Sequence, residues 1–491
     1  MPKPLSPGVL RELWAIVGRD AVLDQPEDLL VYEYDAYLDR AVPDVVVQPV
    51  NAEQIVRVVR LAASEGLAVT PRGGATGLSG GVVPIFGGIM VDFARMHHIL
   101  EVDVANRAAL VEPGLFNLDL STAVAPLGLY YAPDPSSQKA STIGGNIAEN
   151  AGGPHCLASG MTTNHIRGVE LVTRDGELVQ VGGQAADAPG YDLVGLVVGS
   201  EGTFGIVTKA WVRLLPIPPR TVTFLALFQT VDAAGAAVSS IIGQGIVPSA
   251  LELIDGPSAA ALERAFKVGY PPEIGAVLLI DVAGLAEAVA EEAALVGKLC
   301  EAAPGALGLR YAATAAEREG LWKARKGALA ALALIAPNYY LCDGVVPRSK
   351  LAQVLRRVAA IGAEWEVLVT CVAHVGDGNL HPLIAFDVNE PGILPRVEGA
   401  HDEIIRACVD AGGTITGEHG VGIEKRKYMP WIFAPADLDR MARVRAAFDP
   451  SGRFNPGKVL PTEAEAGTTD PSESVPLRVG VSAGLDPERW V

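Results

Sequence analysis

The sequence predicts an α+β protein with more than one domain. Apolar runs of strand character alternate with amphipathic helical stretches along most of the chain. A proline-rich break, Pro216-Ile217-Pro218-Pro219, divides the alternation into two series. Glycine-dense segments crowd the first series, and closely spaced histidines and carboxylates mark the second. At roughly 100–200 residues per domain, a chain of 491 residues has room for such a division and for a sizeable core.

Taken in order, residues 1–40 read as a helical lead-in that ends in the tyrosine-rich stretch Tyr32 to Tyr37. Val45–Val47 is expected to be a strand. Ala52–Ser64 places Ile55, Val58, Val59 and Ala62 on one helical face. Leu67–Thr70 is the next strand and runs into Pro71–Gly81. Further strands are expected at Ile89–Asp92, Ala109–Val111, Glu170–Thr173, Leu178–Val181 and Ile206–Leu215. Beyond the break, strand Thr223–Phe228, helix 232–243, strand Ala276–Val282 and helix Glu287–Glu301 give the alternation of an α+β domain. Phe448 to Pro461 is again rich in glycine and proline and is expected to return to the first domain. The resulting division is 1–217, 218–440, a return segment 441–461, and a polar tail 462–491 expected to be poorly ordered.

The formal charge, 39 − 57 = −18, repels phosphate backbones and anionic lipid, which argues against nucleic-acid and membrane-surface binding. An anionic substrate would have to be met by local positive charge. Cys156, Cys300, Cys342, Cys371 and Cys408 form no C-x-x-C pair and no iron–sulfur spacing, as expected in a reducing compartment. Met1-Pro2-Lys3-Pro4 has no apolar stretch behind it, so a secretory leader is not expected. The apolar run Ala328 to Pro337 is too short to span a bilayer. These features together predict a cytoplasmic protein without a transmembrane segment.

The usual Rossmann and P-loop signatures are absent. Three glycine-dense segments stand in their place: Arg72–Gly81, Ser141–Gly153 and Gly199–Ile206. Glycine lets backbone N–H groups turn toward an anion and lets the chain approach it closely. Tight turns alone are the competing reading. The repetition of such segments, each with Ser, Thr or Asn donors, favours a pyrophosphate cradle.

In the second series, Cys371 to Pro382 carries Asp377-Gly378 between apolar residues, a hairpin signal. A two-residue turn there would set His374 directly opposite His381, with Cβ atoms about 4.5–5.5 Å apart, which suits two imidazoles on one metal. A third ligand has to come from elsewhere. Gly417-Glu418-His419-Gly420 offers a carboxylate and another histidine between glycines, and an irregular backbone there could bring both to one site. Turn-capping or core-filling histidines are the alternative, although three of the chain's eight histidines fall in these two short segments. Lys425-Arg426-Lys427 reads as a solvated basic face.

Several of these motifs are recognisable. Pro71-Arg72-Gly73-Gly74 with Gly77-Leu78-Ser79-Gly80-Gly81, then Pro133-Asp134-Pro135, Thr142-Ile143-Gly144-Gly145-Asn146 continuing to Gly153, and Gly199-Ser200-Glu201-Gly202-Thr203 with Gly205-Ile206 resemble the FAD domain of the vanillyl-alcohol-oxidase (PCMH-type) flavoproteins. Within that family the chain resembles the FAD-linked subunits of glycolate oxidase (glycolate dehydrogenase), with D-lactate and D-2-hydroxyglutarate dehydrogenases as near relatives. The resemblance spans about residues 30–461 in one consistent order.

The resemblance implies a two-subdomain FAD-binding domain joined to a ferredoxin-like α+β cap. It implies that Pro71, Arg72, Gly73, Gly74, Ala75, Thr76, Gly77, Leu78 and Ser79 wrap the pyrophosphate. Pro133, Asp134, Thr142, Gly145, Asn146, Ala148, Glu201, Gly202, Ile206 and Asn455 would line the rest of the flavin site. Some relatives hold FAD covalently through a histidine in the first loop. Thr76 stands there in this chain, so the implied FAD is non-covalent. The matching positions make His374, His381 and Glu418 ligands of a divalent metal (zinc, manganese or iron) and His419 the catalytic base. Arg325, in Leu321-Trp322-Lys323-Ala324-Arg325, matches an arginine that holds the substrate carboxylate. A surface helix arginine is the alternative.

The implied activity is oxidation of a small 2-hydroxy acid to the 2-oxo acid, with hydride transfer to the flavin. The implied electron-transfer partners are an iron–sulfur subunit and a second flavin-domain subunit, which would tie a cytoplasmic protein to the inner face of the membrane. D-lactate is the alternative substrate. D-2-hydroxyglutarate is disfavoured by Leu329 and Leu341, which stand near where those relatives have a threonine and a lysine. A non-catalytic flavin-binding subunit would need none of the histidines, and a flavin-free metal hydrolase leaves the glycine segments without a role.

Overall fold

A computed structural model describes residues 5–185 and 189–466. The chain divides into two units: one holds the stretch up to Ala151, Met161–Pro216 and the chain from Glu418 onward, and the other holds Gly152–Gly160 and Ile217–Gly417. Residues 418–440, placed with the second domain from sequence, group with the first unit. Of the expected polar tail, 467–491 lies outside the described residues, and Glu463–Ala466 forms a helical turn.

The first unit carries two sheets. The helix Ala52–Glu65 starts where the Asn51 side chain accepts from the Gln54 N–H and stops at Gly66 in the left-handed conformation. Its buried stripe is Ile55, Val58, Val59 and Ala62, as the spacing requires. The stripe packs into a core with Val45, Val47, Val69, Ile89 and Val91 from a small sheet of parallel strands, Val45–Val47, Ile89–Asp92 and Val69–Arg72, with Val22–Leu23 antiparallel at its edge. The second sheet is antiparallel, in the order Ile99–Asp103, Ala108–Val111, Ile206–Arg213, Ile166–Val172, Leu178–Gly182. Ile99–Asp103 was not anticipated. It is an edge strand with no buried residue, so it carries no clear alternation. The return segment closes on the first sheet: Phe454 bridges Val69 in parallel and is buried.

The second unit contains strand Arg220–Phe228, helix Val231–Gly243, strand Ala250–Asp255, strand Ala276–Gly284, helix Ala286–Ala302 and strand Ala306–Tyr311. Their order across the sheet is fourth, first, third, second, the ferredoxin-like arrangement, with helix Gly256–Phe266 inserted. Leu368–His374, Asn379–Phe386 and Asn338–Leu341 extend the same sheet. Side chains two residues apart, or directly paired, share a face. The registers Thr223 to Asp281, Ala250 to Asp281, Glu252 to His374 and His374 to Asn379 therefore put Thr223, Asp281, Glu252, His374, Asn379 and His381 on one face.

The hairpin differs from the expected one. His374 pairs with Asn379 and His381 with Val372, so the histidines are diagonal neighbours and not directly opposed. The connection is the loop 375–378, closed by Asp377 Oδ1 accepting from the Asn379 N–H and by the Gly378 N–H donating to the His374 carbonyl. Tertiary contacts select this longer loop. Strand Gly344–Val345 pairs with Asn379 and Leu380, the Val346 N–H donates to the Gly378 carbonyl, and Arg348 Nη1 donates to the Gly376 carbonyl. The shared face survives the shift, because it depends on parity alone.

Gly378 has φ +89°, and a Cβ there would run into the Val346 carbonyl oxygen. Gly378→Ala should therefore cost about 1–2 kcal/mol from the left-handed backbone alone, and more from the clash. Thermal denaturation should show a lowered midpoint; an unchanged midpoint would contradict this account of the loop.

Candidate active site

In the first unit, a narrow cleft runs between the glycine segments. Pro71, Arg72, Gly73, Gly81, Gly144, Gly145, Ala148, Glu201, Gly202 and Asn455 line it. The cradle is tight: a Cβ on Gly73 would strike Thr142 Oγ1, and one on Gly74 would strike the Ala140 carbonyl. Thr142 caps helix Ile143–Glu149 by accepting from the Gly145 N–H. Backbone packed this closely, with N–H groups at a helix start, suits the phosphates of a dinucleotide.

Not every residue expected at the flavin offers its side chain there. The Arg72 guanidinium is committed to the carbonyls of Val31, Tyr32 and Tyr34 and lies over the Tyr32 ring. Ile206 is buried in the core with Val172 and Ile55. Asn146 Oδ1 accepts from Asn117, which also donates to the Pro133 carbonyl, so the Pro133 and Asn146 segments are tied together. Ala75 takes φ +51°, and the Gly77 carbonyl accepts from the Ala36 N–H. Thr76, Leu78 and Asp134 do not line the cleft.

The loop that carries Glu418 and His419 is fixed from the same unit. Ser79 Oγ donates to the His419 carbonyl at 3.0 Å, and the Ser79 carbonyl accepts from the Ile423 and Glu424 N–H groups. The two carboxylate oxygens of Glu201 accept from the Val421 and Gly422 N–H groups at 2.7 and 2.8 Å. Asn455 Nδ2 donates to the carbonyls of Gly81 and Glu201, both at 2.7 Å. Glu201 and Ser79, read from sequence as flavin contacts, thus also hold the His419 loop.

Charge is concentrated beneath this loop. Burial, reinforced by the charge of Glu201, pushes the Glu149 carboxyl well above the usual carboxylate range. Burial pushes the Lys458 ammonium down to about 8, against the pull of Glu201 and Asp35. Lys425, read as part of a solvated basic face, is 0% exposed, and its Nζ donates to the Gly420 carbonyl. Lys458 is equally buried and donates to the Val83 carbonyl.

The second unit builds a polar site on the shared sheet face. The rings of His374 and His381 meet edge-on, with centroids 4.9 Å apart. Glu252, beside His374 in the adjoining strand, accepts from His374 Nδ1 at 2.7 and 2.8 Å. Asp343 Oδ1 lies 3.9 Å from His381 Nδ1, while its Oδ2 accepts from Thr416 Oγ1 and the Gly417 N–H. Glu418 is the next residue in the chain.

Helix Ala315–Lys326, capped by Thr314, lowers two side chains onto this face. Trp322 Nε1 donates to Asp281 Oδ2 at 3.0 Å, and His155 stacks on the indole. Three residues on, Arg325 forms an ion pair with Glu252 at 2.5 Å. Arg325 is 3% exposed, so it is not a surface arginine. Its Nε makes no hydrogen bond to any described residue. Burial alone would raise the Glu252 carboxyl, but His374 and Arg325 outweigh it and hold it below the ordinary carboxylate value.

Sequence reading missed Glu252 and Asp343. Glu252 lies in Ala-Leu-Glu-Leu-Ile-Asp, a strand buried on nearly all positions, where a carboxylate flanked by leucines was the available signal. Two imidazoles and nearby carboxylates are a donor set suited to a divalent ion such as zinc or manganese.

Two family models match: "FAD binding domain" over residues 43–182 and "FAD linked oxidases, C-terminal domain" over 217–459. The chain is 44% identical to the glycolate oxidase subunit GlcD of Escherichia coli (strain K12), over 90% of this chain and 88% of that protein. It is 40% identical to the Bacillus subtilis (strain 168) subunit of the same name, over 94% and 98%. A D-lactate dehydrogenase of Anaerostipes hadrus is 32% identical over 90% and 94%. Among solved structures, 4-ethylphenol oxidase from Gulosibacter chungangensis has the same fold, with TM-score 0.78, 19% identity, and coverage of 94% of this chain and 99% of that one. p-Cresol methylhydroxylase gives 0.75 and 16%, over 93% and 98%.

Replacing Glu201 by Gln leaves one acceptor where two N–H groups need one each. A buried N–H facing a donor costs about 1–3 kcal/mol. Glu201→Gln should lower the thermal midpoint and slow turnover by the flavin-loaded protein. If both stay at wild-type values, Glu201 does not hold the His419 loop.

Proposed function

The chain belongs to the FAD-linked oxidases, and from that premise we propose that it oxidises glycolate, a small 2-hydroxy acid, to the 2-oxo acid. The observation that carries the substrate class is Arg325. A buried guanidinium whose Nε meets no described acceptor, on the same sheet face as a histidine pair, is suited to a carboxylate. The similarity to two glycolate oxidase subunits supports glycolate over D-lactate, whose dehydrogenases are more distant.

The first unit holds FAD, without a covalent link, along the Gly73–Gly74, Thr142–Gly145 and Glu201–Gly202 backbone. Bound FAD supplies the hydride acceptor. His374 and His381, with Glu418 following Gly417 in the chain, would hold a divalent ion, and the chemistry such an ion would supply is Lewis-acid assistance to loss of the α-hydroxyl proton. Arg325 fixes the substrate carboxylate. His419 takes the hydroxyl proton, and the flanking glycines give its backbone the freedom to present the ring. Asn379, buried and on the histidine face, orients the bound acid.

Electrons then leave to a separate acceptor, since the cysteines of this chain have no iron–sulfur spacing. The relatives named as subunits support membership of a multi-subunit assembly; an iron–sulfur subunit and a second flavin-domain subunit are our proposal for its other members. We place the protein in the cytoplasm, reaching the membrane through those partners. Among the described residues no helix is long and apolar enough to cross a membrane.

Dye-reduction assays with glycolate, D-lactate, L-lactate and D-2-hydroxyglutarate test the substrate. Glycolate should give the highest kcat/KM, and a preference for D-lactate would transfer the assignment. Acid precipitation should leave all flavin in the supernatant; a yellow pellet would mean a covalent bond. His419→Ala should lower turnover about 10²–10⁴-fold with FAD retained. A variant of near-normal rate would remove His419 from the reaction.

A further inference from the structure

We propose that Glu252 is a positioning residue shared by both anchors of the hydroxy acid, fixing the orientation of His374 and the place of the Arg325 guanidinium at once. The proposal rests on the reading of His374 as a metal ligand and Arg325 as the carboxylate anchor.

The geometry is specific. Glu252 is 0% exposed, and its charge is met by a ring nitrogen and a guanidinium. Both carboxylate oxygens lie within 2.8 Å of His374 Nδ1. An ionised carboxylate can only accept, so Nδ1 carries the proton and Nε2 is the nitrogen left with a lone pair for a ligand bond. The Oε2 atom is also the one 2.5 Å from Arg325 Nη2. A single buried carboxylate therefore sets the distance between the imidazole and the guanidinium.

A 2-hydroxy acid presents a hydroxyl and a carboxylate on neighbouring carbons. Its two binding groups on the protein must keep a fixed separation, and Glu252 spans that separation from behind. Asp343 is placed differently. It lies 3.9 Å from His381 and spends its other oxygen on Thr416 and Gly417, so it holds the backbone leading to Glu418. Partners behind a ligand histidine commonly change metal affinity about 10–100-fold.

Truncating Glu252 to alanine would leave a buried guanidinium without its counter-charge and endanger folding. Glu252→Gln keeps the volume and removes the charge, and its amide can either accept from Nδ1 or donate to it. Flavin content serves as the control for a folded protein and should stay near wild type, while the thermal midpoint should fall because Arg325 loses its counter-charge. Equilibrium dialysis against zinc or manganese, followed by metal analysis, should show affinity reduced about 10–100-fold. The KM for glycolate should rise more than kcat falls.

A double-mutant cycle reads the coupling. Arg325→Met should weaken metal binding in the wild-type background and leave it unchanged in Glu252→Gln. Nitrogen NMR on histidine-labelled, metal-free protein, with His374 assigned through His374→Asn, reads the orientation whatever the metal does. Wild type should show the Nδ1–H form and Glu252→Gln a mixture. A wild type that binds neither metal would defeat the metal reading, while the NMR would still decide the role of Glu252. An Nε2–H form in wild type, or metal affinity and KM both unmoved in Glu252→Gln, would overturn the proposal.

Discussion

Strand Ala250–Asp255 runs antiparallel to Leu368–His374 in a register that sets Glu252 beside His374, in the middle of a sheet buried on both sides of the pair. Carboxylates are rarely left fully buried without partners. This one is tolerable because His374 Nδ1 and Arg325 meet it. The same register fixes the face on which Asp281, Asn379 and His381 appear. A slip of one residue would turn every member of that row to the other face. The candidate chemistry of the second unit thus depends on one strand pairing and on the charge balance that the pairing makes affordable.

The first unit solves a different problem, that of bringing backbone close to a polyanion in a chain of strongly negative charge. It does so with glycine at the points of closest approach and with neutral N–H groups, while its buried lysines, Lys425 and Lys458, lie among the carboxylates of Glu149, Glu201 and Asp35. Glu201 ties the two tasks together. Its backbone lines the cleft region and is gripped by Asn455, while its side chain captures the N–H groups just beyond His419. In the return segment, Phe454 bridges Val69 and Asn455 lines the same cleft.

Helix Ala315–Lys326 shows how a surface-looking segment acquires a role. From sequence it reads as a charged helix in which Arg325 could face solvent. Its placement is decided by Trp322, whose indole is hydrogen-bonded to Asp281 and stacked by His155 from the excursion Gly152–Gly160. With Trp322 seated, Arg325 lies one turn further along the same helical face and comes to rest on Glu252.

What the sequence determined by itself is local. The helix Ala52–Glu65, the strands around it, the proline break, the glycine segments and the two histidine-bearing motifs follow from periodicity, turn chemistry and composition, which the covalent chain carries without reference to distant residues. It also carried the shared face of His374 and His381, because the observed register differs from the expected one by two residues, an even shift that leaves the face unchanged. Only the tertiary structure decided that the hairpin loop is 375–378, since strand Gly344–Val345 and Arg348 choose among turns that the local sequence allows. It alone revealed Glu252 and Asp343 as the groups behind the histidines, and buried Lys425 in a run that reads as solvated. Those outcomes depend on which strands pair, in what register, and on which charges meet once water is excluded, and no local pattern encodes that.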